Sequence, residues 1–135
     1  MSRTFIASVT FAASLLACAA LFAEEPLAHT KDSLDTVKAN VKAGKAVIVD
    51  VREQAEWDEA HVKGAILVPR SKLTVDAELA KLLEKVPKDK VIYTHCKAGR
   101  RALACGEILK KHGYDVRPLK PGIQELLDAG FEKGN

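Results

Sequence analysis

An α/β domain, a parallel β-sheet flanked by helices on both faces, is the fold class this sequence predicts. Three observations lead there. Short apolar runs alternate with segments of helical period over about a hundred residues, the order that builds strand–helix–strand crossovers. The two strongest runs, 46–51 and 90–94, are nearly continuous in apolar character, as in strands covered on both faces. With 135 residues, 47% hydrophobic and 29% charged, the chain has room for one domain and the means to bury its core.

The elements follow in order. Over 32–43, Leu34, Val37 and Val41 share one helical face, Asp32 or Ser33 can cap it, and Gly44 stops it. Residues 46–51 form the first strand. Residues 53–59 suit a short helix, and 65–68 a second strand ended by Pro69. Leu79, Leu82 and Leu83 mark the inner face of a helix over 76–85, which Pro87 closes. The strand at 90–94 runs into Cys96, and the helix after it, 102–112, ends at Gly113. Residues 116–119 read as the last strand, and 123–129 as a closing helix stopped by Gly130. The pattern contains neither an internal repeat nor a second domain.

Residues 1–23 stand apart. Arg3 gives a minimal positive start, 5–16 is almost wholly apolar, and small residues at Ala17, Cys18, Ala19, Ala20 and Ala23 precede Glu24, Glu25 and Pro26. This reads as a secretory signal peptide. Cleavage fits after Ala23, or after Ala20 with Cys18 and Ala20 as the small pair. A retained anchor is the second reading, on an apolar run at the short end for spanning. A lipoprotein is the third, on Leu15-Leu16-Ala17-Cys18, although the apolar character continues past the cysteine. The expected organisation is therefore signal 1–23, linker 24–31 and domain 32–135, exported to the periplasm and free of the membrane after cleavage. Export leaves Cys96 and Cys105. Cys105 shares a helical face with Ala102, Ile108 and Leu109 and reads as a small core hydrophobe.

The chemistry concentrates at 91–101. A β-branched run ends on Cys96, and Lys97, Ala98, Gly99, Arg100 and Arg101 lead into the following helix. One thiol is thus set at the carboxyl end of a strand and the amino end of a helix, where open α/β sheets form ligand crevices. Backbone N–H groups, the helix dipole and the three cations all favour an anion there, and thiolate over thiol. Nothing similar favours nucleic acid: the net charge is +3 and aromatics are 5%. No His/Cys pair has metal-ligand spacing, so neither metal nor cofactor is expected.

Two separated stretches resemble the rhodanese (sulfurtransferase) domain. Val47-Ile48-Val49-Asp50-Val51-Arg52-Glu53, then Glu56-Trp57 and His61-Val62-Lys63-Gly64-Ala65-Ile66, are similar to its opening signature. Cys96 and Arg101, flanking four residues that include Gly99, resemble its active-site loop. Gly113-Tyr114-Asp115-Val116 and Gly122-Ile123 fall where the family has its last strand and closing turn. The resemblance covers about 32–131, and the small exported, phage-shock-protein-E-like members are the most similar in pattern. Ala60 departs from the family's usual Gly before the histidine. Pro121-Gly122 replaces a frequent Gly-Gly, and no tryptophan follows it.

The resemblance implies a single rhodanese-like domain that moves a sulfane sulfur. Cys96 would take it from thiosulfate or a persulfide donor, hold it as a persulfide and pass it to cyanide or a thiol. Loop N–H groups would cradle the outer sulfur, with Gly99 letting the loop fold around it. Lys97 is the first candidate to hold the anionic end of the donor. Arg101 either faces the substrate or anchors the loop, Arg100 points outward, and Arg70 reaches the same mouth. Asp50 and Arg52 form a network behind the loop, and His61 fixes a turn. His95 lies on the opposite side of its strand from Cys96 by alternation.

Three rivals stand beside this reading. A related phosphatase or arsenate reductase needs five residues between cysteine and arginine, and the arginine here comes one residue too soon. A non-catalytic binding module and a protein-loaded persulfide carrier complete the set. Nothing in the sequence predicts more than a monomer.

Overall fold

Helix starts and stops in this chain follow local chemistry. In the computed structural model, which describes residues 24–135, α1 (Leu34–Lys42) is capped by Ser33, whose hydroxyl accepts from the Thr36 N–H at 3.1 Å. The expected signal segment, 1–23, lies outside the described residues. Then come β1 (Ala46–Asp50), α2 (Gln54–Glu59), β2 (Ile66–Leu67), α3 (Arg70–Leu73), α4 (Asp76–Leu83), β3 (Val91–His95), α5 (Arg100–Lys111), β4 (Asp115–Val116) and α6 (Ile123–Asp128).

The four strands form one parallel sheet in the order β2-β1-β3-β4, with Ala46–Asp50 in register against Val91–His95. Alternation along the two central strands divides the core. Val49, Val51, Ile92 and Cys96 face one way and pack with Leu73 of α3, Leu82 of α4, and Ala102, Cys105 and Leu109 of α5. Ala46, Ile48 and Tyr93 face the other way, against Val37 of α1 and Leu126 of α6. Helices thus cover both faces, as the nearly continuous apolar runs require. The same alternation sends His95 and Cys96 to opposite sides of the sheet.

Three local differences from the sequence expectation have identifiable causes. The single turn α3 was not anticipated, because four residues are too few to show a helical period. Pro69, read there as a strand stop, is also the N-cap of that turn. Helix α5 begins at Arg100 rather than Ala102, because Gly99 at φ +95° turns the chain straight into the first helical turn. Both arginines therefore belong to the helix. The last strand pairs at Asp115–Val116 and not over 116–119. Beyond it Arg117 and Leu119 still donate to the carbonyls of Ile92 and Thr94, at 2.8 and 2.7 Å.

Residues 24–31 carry no helix or strand, but Leu27 packs against the α5 side of the core. Among the described residues no helix is long and apolar enough to cross a membrane.

Candidate active site

Cys96 follows directly on β3 and lies at the amino terminus of the twelve-residue α5. Its Sγ accepts from the Gly99 N–H at 3.1 Å and the Ala102 N–H at 3.4 Å. Thr94 Oγ1 donates to the Ala102 carbonyl at 3.0 Å and pins that first turn to the strand. The residue is 1% exposed, so the sulfur is the floor of the loop rather than its rim. Two backbone donors and the positive end of a helix are what negative charge on sulfur needs.

Two glycines make this geometry possible. Gly99 holds the left-handed conformation that aims its N–H inward. Gly122 has an ordinary φ of −90°, but a Cβ there would collide with the Lys97 carbonyl oxygen. The Pro121-Gly122 turn thus lies directly against the loop, and steric room requires its glycine.

The cations separate into three situations. Arg101 is held by the Glu56 carboxylate of α2 in a two-pronged ion pair, at 2.7 and 2.8 Å. That guanidinium pulls the Glu56 carboxyl down to about 2 against the opposing effect of partial burial. Arg100 is exposed and lines a depression of about 420 Å³ with Arg70, Arg101 and Ala104, so Arg70 does join the arginines of α5. Lys97 and Ala98 lie in a different depression, about 430 Å³, with Lys120, Pro121 and Glu125. Among the described residues, Lys97, Arg70 and Arg100 have no carboxylate within salt-bridge reach.

Behind the loop is a buried charge cluster. Arg52 Nη2 donates to Asp50 Oδ2 at 2.7 Å and to the Ala60 carbonyl at 2.7 Å, while Arg52 Nε bridges both Asp50 oxygens at 3.0 and 3.1 Å. His95 Nε2 lies 3.2 Å from Asp50 Oδ2, too poorly aligned for a good hydrogen bond, and Nδ1 is 3.3 Å from the Cys96 carbonyl oxygen. Burial pushes the Asp50 carboxyl up, but the His95 imidazole and the Arg52 guanidinium together outweigh it and hold the group well below the usual carboxylate range.

His61 takes no part in the loop. Its ring stacks on Trp57 at 3.8 Å, its Nδ1 is 3.0 Å from the Trp57 carbonyl oxygen, and its own carbonyl accepts from Gly134 at 2.8 Å. Ala60 before it has φ −165°, extended backbone that any residue adopts, so the turn has no need of glycine there.

Sequence reasoning missed Glu56 as the partner of Arg101, Gly122 as the neighbour of Lys97, and His29, whose Nε2 is 3.0 Å from the Gly99 carbonyl oxygen. Contacts across such long sequence separations leave no periodicity or spacing to read. The Glu56 pairing alone had a local signal, as part of the Glu56-Trp57 motif.

The chain is similar to known proteins in sequence and in fold. The chain is 38% identical over 80 residues to a probable adenylyltransferase/sulfurtransferase, MoeZ, of Mycobacterium tuberculosis, covering 58% of this chain and 19% of that protein. It is 30% identical over 95 residues to a putative sulfur carrier protein, YrkF, of Bacillus subtilis, covering 69% and 48%. The chain thus spans from about a fifth to about half of these curated relatives. The crystal structure of a rhodanese-related protein from Thermoplasma volcanium superposes with a TM-score of 0.61 at 24% identity, covering 75% of this chain and 93% of that one. Residues 33–129 match the Rhodanese-like domain family, and the chain belongs to that family.

Proposed function

We propose that this protein is a sulfurtransferase that carries a sulfane sulfur on Cys96, with thiosulfate or a persulfide as donor and cyanide or a thiol as acceptor. The observation that carries the reading is the Cys96 sulfur, in no disulfide among the described residues and facing two inward N–H donors at the head of α5. The Cys96 thiolate attacks the outer sulfur of thiosulfate. The S–S bond of the donor breaks, sulfite leaves with the bonding pair, and a Cys96 persulfide remains. Cyanide then attacks the outer sulfur, thiocyanate leaves and the thiolate is restored.

Within this reading Lys97, Arg100 and Arg70, exposed and without carboxylate partners among the described residues, steer and hold the anionic end of the donor. Arg101, committed to Glu56, shapes the loop. Asp50, Arg52 and His61 support the surrounding backbone. Residues 1–23 act as an export signal, in keeping with the small exported phage-shock-protein-E-like pattern, and the mature chain works as a monomer in the periplasm.

Intact mass of the purified chain before and after thiosulfate, and then after cyanide, tests this. The expected result is the gain of one sulfur on Cys96, removed by cyanide with release of thiocyanate. No gain, with the thiol reduced and accessible, would favour the second reading, a carrier loaded by a protein partner. The similarity to a putative sulfur carrier protein supports that alternative.

Cys105 has no step in this scheme. It is fully buried on α5, and burial pushes its thiol up to about 11. Cys105→Ala is expected to leave steady-state turnover within about twofold of the unaltered protein, because only a small apolar side chain is shortened. A loss above about tenfold at unchanged stability would make Cys105 part of the chemistry.

A further inference from the structure

The segment ahead of α1 is fastened across α5 and the Cys96 loop. The Glu25 carbonyl accepts from Lys110 Nζ at 3.2 Å, and the Leu27 N–H donates to Glu107 Oε1 at 2.5 Å. The Leu27 side chain lies over Gly106, where a Cβ would come within 2.8 Å of it. The Thr30 N–H donates to the Pro118 carbonyl at 2.8 Å. These contacts fix the backbone on both sides of His29 and place its imidazole against Gly99.

Two distances describe that contact. His29 Nε2 is 3.0 Å from the Gly99 carbonyl oxygen, and because a carbonyl only accepts, Nε2 carries the hydrogen in this bond. The ring is also so close that a Cβ on Gly99 would come within 2.5 Å of Nε2. Gly99 supplies the nearer of the two N–H groups that reach the Cys96 sulfur, in a conformation that a glycine leaves readily. Its carbonyl also accepts from the Leu103 N–H at 3.1 Å, the first helical bond of α5. His29 therefore contacts a residue that links the sulfur, the loop and the helix.

We propose that His29 is a positioning residue for Cys96. By holding the Gly99 carbonyl from outside the loop, it keeps the Gly99 N–H directed at the sulfur. The inference rests on Cys96 being the reactive group of this domain. It adds a contribution from residues 24–31, which the sequence presents as a linker.

The test uses His29→Ala and His29→Gln in the full chain, with melting temperature as the control for folding. The first readout is the second-order rate of Cys96 alkylation by iodoacetamide, followed on the Cys96 peptide by mass. The second is kcat and KM with thiosulfate. His29→Ala is expected to slow alkylation and lower kcat by about fivefold each, the worth of one neutral hydrogen bond, with KM within about twofold. His29→Gln, whose amide N–H can reach the same carbonyl, should recover most of both. Unchanged alkylation in a folded His29→Ala protein, or an equal loss in both variants, would overturn the proposal. A protein that never turns over thiosulfate, but whose alkylation slows in His29→Ala and recovers in His29→Gln, keeps this inference and removes thiosulfate as the donor.

Discussion

Cys96→Ser should abolish sulfur transfer, with kcat/KM falling by about a thousandfold or more, because the neutral hydroxyl of serine is a far weaker nucleophile toward sulfur than thiolate is. The fold should survive. Serine is smaller than cysteine, and its oxygen meets the same two backbone donors, Gly99 and Ala102, that now serve the sulfur. The expected change in unfolding free energy is therefore within about 1 kcal/mol, as for a buried group whose hydrogen-bond partners are kept. Thiocyanate release and urea unfolding, measured on the same preparation, check both halves. Residual turnover above about a hundredth of the original rate, in protein shown by mass to hold serine, would mean that sulfur travels by a route without Cys96.

The layout behind that prediction was largely legible in the sequence, for a physical reason. A strand covered on both faces must be apolar at nearly every position, so 46–51 and 90–94 declare themselves, and their ends place Asp50 and Cys96. Period-two alternation then assigns Cys96 and His95 to opposite sides of the sheet, which is where they lie. The loop was legible as a cluster of cations with a glycine, but what each cation does was not. Arg101 and Arg100 are neighbours of the same chemistry. One is held by Glu56 and the other is exposed, a difference set by a helix 45 positions away in sequence. Gly122 shows the same limit. Its φ is ordinary, so no local rule asks for glycine, and the need comes from the Lys97 carbonyl across the turn. Residues 24–31 are short, polar in part and without periodicity, so nothing in them announces the contacts that hold them to α5.

Arg52→Met is the second large effect, and it falls on stability. Arg52 supplies three directed contacts to the buried Asp50 carboxylate and one to the Ala60 carbonyl. Methionine fills much of the same volume and returns none of them. Removing one partner of a buried pair strands the other charge, so the expected loss is about 3–5 kcal/mol of unfolding free energy at neutral pH. Asp50→Asn in the same chain should recover part of that loss by removing the stranded charge, giving a favourable coupling in the double-mutant cycle. The pH dependence fixes the cause. In the unaltered protein the Asp50 carboxyl is held below its unfolded value, so its contribution is complete above pH about 4 and is lost only as pH falls further. Without the guanidinium that carboxyl rises from its lowered level, because one of the groups that outweighs burial is gone while His95 and the backbone N–H of residue 52 remain, so the penalty is greatest at neutral pH and fades as the group takes up a proton. The gap between the two proteins should therefore be full at neutral pH and narrow as pH falls below about 4, as read by urea unfolding. A gap that stays constant over that range would assign the loss to packing and to the freed Ala60 carbonyl instead. His95 joins this cluster to the loop, because its ring lies against Asp50 on one side and the Cys96 carbonyl on the other.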